Sequence, residues 1–283
     1  MEHIPIYPCL GAIIGDTIGS IYEFDNIKTP DFQPLFAEEA NYTDDSIMTI
    51  AVADWLANTD RSQQALENKL VEWGNKYPHP MGSYGSTFSR WLFHPEWLRD
   101  LKTGDWGKRM PYNSWGNGSA MRASACGWVS DTIDQALDWG KRSAEITHNH
   151  PEGIKGAQAV AVAVHLAHKH EKKEFIRDYI EDIFMYDLHH SCDEIRPNYK
   201  WESSCQETVP QAIIAFLDSH DFEDAIRLAV SLGGDSDTLA CITGGIAQAY
   251  YDDIPEWMIS EMHTRLPQEF WDVMRELERF VVK

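Results

Sequence analysis

Apolar residues recur at helical spacing along almost the whole chain, and no stretch sustains the period-two alternation of a half-buried strand. Residues 45–57 (DSIMTIAVADWLA) set Ile47, Ile50, Ala51, Asp54 and Trp55 at that spacing. Residues 62–77, 132–147, 152–170, 173–185, 209–219 and 222–232 read the same way, followed by 235–251, 256–265 and 268–282. Pro151, Pro210 and Pro255 each fall where a first helical turn would begin, a position that tolerates the missing N–H. Loops rich in Pro, Gly, Asn or aromatic residues are expected at 77–83, 102–116 and 188–201. A chain of 283 residues with no internal repeat and no low-complexity linker can share a single core. The expectation is therefore an all-α protein, one compact domain over residues 1–283.

Charge removes several function classes. Lys and Arg number 24 against 45 Asp and Glu, a formal net charge of −21. Stable nucleic-acid binding needs a basic face to displace counterions, so it is not expected. Docking on anionic membranes is disfavoured for the same reason. No apolar run approaches the roughly 18 residues a membrane span requires. The first twenty residues lack the basic start and small-residue cleavage site of a signal peptide. Cys9, Cys126, Cys192, Cys205 and Cys241 are scattered, with no CxxC pair, which suits reduced thiols and gives no zinc framework. A cytoplasmic monomer is expected.

Two acidic clusters stand out against this background. Thr43-Asp44-Asp45-Ser46 immediately precedes an apolar helix, and so does Gly233-Gly234-Asp235-Ser236-Asp237-Thr238. Either cluster alone reads first as a helix cap, since Thr, Asp and Ser oxygens accept the orphan N–H groups there. One capping oxygen suffices, however, and adjacent carboxylates repel unless a cation lies between them. Two such clusters in one chain favour a cation site, and oxygen-only ligands imply Mg²⁺ or Mn²⁺ rather than zinc. Gly11, Gly15 and Gly19, four apart in the segment 10–24, make a small-residue stripe suited to close helix packing. Asp16 within that helix and Glu23 just beyond it are acids amid apolar residues and need partners. Trp115-Gly116-Asn117-Gly118-Ser119-Ala120-Met121-Arg122 presents glycine-flanked backbone opening a helix, suited either to an anion or to a plain turn and cap. Thr147-His148-Asn149-His150-Pro151 reads as a loop leading into a helix.

Taken in order, these segments resemble the ADP-ribosylglycohydrolase family. The likeness runs from about residue 10 to residue 251 and rests on Thr43-Asp44-Asp45, Gly116-Asn117-Gly118 with Ala120-Met121-Arg122, Thr147-His148 and Leu232 to Thr238. It implies a compact orthogonal helical bundle with a binuclear centre of two Mg²⁺ (or Mn²⁺). The implied metal ligands are Thr43, Asp44, Asp45, Asp235, Asp237 and Thr238. Gly116, Asn117, Gly118, Ser119 and His148 fall where the family binds ADP-ribose. The implied reaction is hydrolysis of the C1″ glycosidic bond of an ADP-ribosylated acceptor, chiefly protein, with release of ADP-ribose. Glu23 is the candidate general acid/base, with a carboxylate from Asp44, Asp45 or the Asp235/Asp237 pair as the alternative base. Gly15-Asp16, Gly19-Ser20 and Tyr22-Glu23 look most like the branch acting on O-linked serine ADP-ribose, so that acceptor is preferred over arginine. The alternatives are an inactive ADP-ribose-binding relative, or a hydrolase of another ADP-ribosyl compound or of ADP-ribosylated nucleic acid.

Overall fold

The residues Leu10–Gly19 form α1, and all ten are buried. In the computed structural model, which describes residues 6–98, 104 and 106–281, fourteen further α-helices follow. They are α2 (Asp44–Asn58), α3 (Gln63–Lys76), α4 (Ser86–Phe93), α5 (Gly118–Met121), α6 (Ser124–Trp128), α7 (Ile133–Glu145) and α8 (Pro151–His168). Then come α9 (Lys173–Phe184), α10 (Cys192–Ile195), α11 (Cys205–Asp218), α12 (Phe222–Ser231), α13 (Ser236–Tyr251), α14 (Glu256–Arg265) and α15 (Gln268–Glu278). Among the described residues there is no strand, only isolated bridges pairing Thr43 with Met81 and Gly116 with Ser204. The all-α expectation holds.

The differences lie where tertiary contacts act. The helix expected from residue 209 begins at Cys205, so Pro210 sits inside it rather than in its first turn. Its start is drawn back by the segment 115–117: Cys205 N–H donates to the Trp115 carbonyl (2.9 Å) and Asn117 N–H to the Ser203 carbonyl (2.8 Å). Pro255 caps α14 from just outside, whereas Pro151 is a first-turn proline as expected. Helix α4 and the short α5, α6 and α10 are too brief for a periodic signal to mark them. Of the loop expected at 102–116, residues 102, 103 and 105 lie outside the described residues, as does residue 282 of the last expected helix.

Helix α13 runs through the centre, buried from Ser236 to Ala249, and packs against α1, α8, α11 and α12. The glycine stripe of α1 is what lets those two backbones touch. A Cβ placed on Gly15 would stand 1.9 Å from the Ala240 carbonyl oxygen, and one on Gly244 would stand 2.1 Å from the Gly11 carbonyl oxygen. One on Gly19 would meet the Ser236 carbonyl oxygen at 2.5 Å, right where α13 begins. Ahead of it, Gly233 and Gly234 take φ of 71° and 77°, a left-handed turn that side chains resist. Asn26 braces that turn, its carbonyl accepting from Gly234 N–H (2.8 Å) and its amide donating to the Gly234 carbonyl (2.9 Å).

Because the obstacle at Gly15 is backbone, no rotamer relieves it. Gly15→Ala is expected to cost about 3 kcal/mol, the upper end of overpacking penalties. Gly74→Ala, where the new methyl meets only the flexible Leu92 side chain at 3.0 Å, is expected to stay within about 1 kcal/mol of wild type. Thermal denaturation of the two variants checks the contrast.

Candidate active site

The α1–α13 contact delivers its acids to one end of the bundle, where α2 and α13 both begin. Asp16 is wholly buried, and its carboxylate caps α2 from outside the helix. Oδ2 accepts from the Thr43 N–H (2.9 Å), the Ser46 N–H (3.1 Å) and the Ser46 hydroxyl, and Oδ1 accepts from the Thr43 hydroxyl (2.7 Å). Capping and the helix dipole both favour an anion there. Thr43 is itself the cap residue of α2, accepting from Asp45 N–H (3.2 Å).

Carboxylate oxygens from Asp16, Asp45 and Asp237 lie within 4.8 Å of one another, and so do those of Glu23, Asp235 and Asp237. Asp237 belongs to both groups, so two positions rich in oxygen share one carboxylate. Asp44 lines the same cleft. Like charges 4.8 Å apart repel by roughly 3 kcal/mol per pair at an effective dielectric of 20. Burial first and neighbouring carboxylates second push Asp44, Asp45 and Asp237 well above the usual carboxylate range. Burial raises Asp16 to about 6, with its four hydrogen bonds opposing the rise. Glu23 rises to about 7 through burial, with Asp235 and Asp16 adding to the shift. Acids in this condition must take up protons or a cation.

One atom favours the cation. Asp45 Oδ2 accepts from the Thr238 hydroxyl (3.3 Å), but Oδ1 is buried with no hydrogen-bond partner. A buried carboxylate oxygen without a donor is costly, and the all-oxygen surroundings suit a hard divalent ion. The residues present therefore fit a metal.

The cleft beside these acids has a volume of about 540 Å³. Ten of the sequence-expected residues line it: Glu23, Asp44, Asp45, Gly116, Asn117, Gly118, His148, Asp235, Asp237 and Thr238. Thr43 and Ser119 do not. The Ser119 hydroxyl turns inward and donates to the Gly153 carbonyl (2.8 Å). The helix opened by Gly118 is a single turn, four residues long, so the helix dipole behind the anion reading is slight. Asn117 also differs from expectation, because its amide donates to Asp235 Oδ2 (2.7 Å) and to the Thr208 hydroxyl (3.2 Å). It holds a carboxylate in place.

One wall of the cleft was only faintly marked in the sequence, by the end of the loop expected at 77–83. Residues 82–88 form it, with Glu23 Oε2 packed where a Gly82 Cβ would come within 3.0 Å. Paired glycines and hydroxyls ahead of α4 were its other local trace. Tyr112, Arg122 and Trp201 complete the lining, and Phe24 (76 % exposed) stands at the rim beside Glu23.

An all-α bundle with two overlapping groups of acids beside its cleft defines a helical protein with oxygen-rich positions that fit a metal. The chain matches the ADP-ribosylglycohydrolase family over residues 8–282, and it belongs to that family. It is 23 % identical to the ADP-ribosylhydrolase ARH3 of Xenopus tropicalis, over 95 % of this chain and 93 % of that one. It is 27 % identical to the human ADP-ribosylhydrolase ARH3 (88 % and 86 % covered) and 27 % identical to the ADP-ribosylarginine hydrolase Tri1 of Pseudomonas putida (93 % and 76 % covered). A solved structure described as an ADP-ribosylglycohydrolase-related protein complex superposes with a TM-score of 0.71 at 24 % identity, covering 98 % of this chain and 97 % of that one. The fold is the all-α fold of that structure.

The hydrogen bond from Asn117 gives a test of what that side chain does. Asn117→Ala is expected to weaken divalent-cation binding by 10- to 100-fold, the range typical of lost supporting contacts around metal ligands. Titration calorimetry with the cation alone, in the absence of any nucleotide, measures it.

Proposed function

We propose that the chain hydrolyses the C1″ glycosidic bond of ADP-ribosylated acceptors, releasing ADP-ribose, with O-linked acceptors preferred over arginine. The observation that carries this reading is the pair of carboxylate groups sharing Asp237, with Asp45 Oδ1 left bare, beside a cleft of about 540 Å³. Family membership supports it, as do relatives bearing the names ADP-ribosylhydrolase and ADP-ribosylarginine hydrolase. Those relatives match at similar identity, so the acceptor preference rests on Glu23 and its surroundings alone.

In this reading Asp44, Asp45, Asp235, Asp237 and Thr238 hold two Mg²⁺ or Mn²⁺ ions. Thr43 serves from behind, through its bonds to Asp16 and Asp45. The bound ions supply Lewis-acid polarisation and orientation of the ribose hydroxyls. Hydrolysis breaks the bond from C1″ to the acceptor oxygen through an oxocarbenium-like state, and that oxygen must gain a proton as it leaves. Glu23, raised to about 7 by burial and by Asp235, can carry that proton at neutral pH. Glu23 is a half-buried residue of the cleft lining, and this reading assigns it to the acceptor side. His148 and the Gly116–Gly118 backbone line the same cleft, where they would hold the remainder of the ligand, with Ser119 contributing only main chain.

The single domain spans residues 1–283 and acts as a monomer in the cytoplasm, its ligand the ADP-ribose group of a modified protein. Among the described residues no helix is long and apolar enough to cross a membrane, and all five cysteines are free and buried.

A release assay across serine-, arginine-, O-acetyl- and nucleic-acid-linked ADP-ribose tests the proposal. Turnover of the serine linkage, lost on chelation and restored by Mg²⁺ or Mn²⁺, is expected. Asp237→Ala is expected to lower turnover more than about 100-fold while the protein stays folded. Binding of ADP-ribose with no turnover of any linkage would establish the inactive relative instead. Separately, a divalent cation at 100 times its Kd is expected to add about 2.7 kcal/mol to stability. The accompanying rise in melting temperature should vanish with chelator.

A further inference from the structure

Arg122 is 1 % exposed yet lines the cleft, and among the described residues no carboxylate pairs with it. One guanidinium nitrogen, Nη2, donates to the Ser143 carbonyl (2.8 Å) and to the Thr147 hydroxyl (2.8 Å), while Nε is buried without a partner. A guanidinium can only donate, so the Thr147 oxygen accepts there. That hydroxyl keeps one proton and has three neighbours: the Tyr112 hydroxyl, which carries a proton of its own, and two acceptors. The Ala144 carbonyl lies 3.4 Å away, at the limit of a hydrogen bond, and His148 Nδ1 lies at 2.7 Å, the usual length for O–H···N. The proton therefore goes to Nδ1, which must be unprotonated to receive it.

A neutral imidazole that accepts at Nδ1 carries its own proton at Nε2. Burial first, and the positive charge on Arg122 second, oppose a second proton on the ring. Nε2 makes no hydrogen bond with another described residue. It faces Gly116 and Gly118, whose Cβ atoms, if present, would lie 3.6 and 3.4 Å from it. Both glycines line the cleft.

We propose that Arg122, acting through Thr147, fixes His148 as the Nε2-protonated neutral tautomer, so that Nε2–H donates a hydrogen bond into the cleft. Arg122 and Thr147 are positioning residues, and His148 is the group that meets the ligand. The tautomer stands on the geometry of the free protein, whereas the identity of the acceptor rests on the ADP-ribose reading above.

Nitrogen-15 NMR of labelled protein reads the tautomer directly, with His148→Gln assigning the signal. The expected wild-type pattern is one protonated nitrogen, Nε2, and one bare nitrogen, Nδ1. Thr147→Val should lose that fixed pattern, and Thr147→Ser should restore it. With ADP-ribosylated substrate, Thr147→Val is expected to raise KM about five- to tenfold, the worth of one hydrogen bond, with the loss falling on KM rather than kcat. Thr147→Ser should stay near wild type. A wild-type ring protonated at Nδ1, or a Thr147→Val protein that keeps the wild-type tautomer, would overturn the proposal. If wild-type protein shows the expected tautomer but binds no ADP-ribose, the functional reading fails and the relay stands.

Discussion

The contact between α1 and α13 is the constraint on which the rest depends. Two helix backbones approach closely enough that a Cβ on Gly15 would stand 1.9 Å from a main-chain oxygen. At that separation Asp16, one residue further along α1, comes within ligating distance of Asp237 on α13. Asp16 in turn caps α2 and so brings Asp45 to the same place. Three segments widely spaced in the chain are registered by one stripe of small residues and one buried carboxylate. A bundle joined by larger side chains would separate its axes by 8–10 Å and leave these acids too far apart to share an ion.

The arrangement is unfavourable in isolation. Asp16, Glu23, Asp45, Asp235 and Asp237 lie in two overlapping groups a few ångströms across, Asp44 lines the same cleft, and all six are pushed upward by burial. The surrounding fold compensates only in part, with hydrogen bonds to Asp16, a bond from Asn117 to Asp235 and one from Thr238 to Asp45. That remaining charge is a reason to expect tight cation binding. Free energy not spent neutralising these carboxylates within the protein is available to a divalent ion.

Much of this was readable from sequence because the strongest signals are local. Helical periodicity spans ten or more residues at a time, and each acidic cluster lies within six residues at the start of one helix. What the sequence withheld depends on partners far along the chain. Asp16 could be marked as an acid needing a partner, but the partners, Thr43 and Ser46, are 27 and 30 residues away. Asn117 looked like part of an anion loop until Asp235, 118 residues on, turned out to be what it holds. The start of α11 moved back to Cys205 because main-chain pairing with 115–117 outweighed the local signal of Pro210. The wall at 82–88 carries no periodicity at all, and only the tertiary fold makes it a wall.

The net value of −21 conceals that the cleft is not lined by acids alone. Beside the clustered acids it carries Arg122, its positive charge buried and unpaired by any described carboxylate, and His148. A strongly acidic protein ordinarily repels an anionic ligand. Here a bound cation would neutralise the acids, while the same lining carries a guanidinium and an imidazole. Under the proposed function a ligand with neutral hydroxyls and a negatively charged group meets both kinds of partner in one cleft, so the lining that admits the ligand also restricts how it can lie beside Glu23.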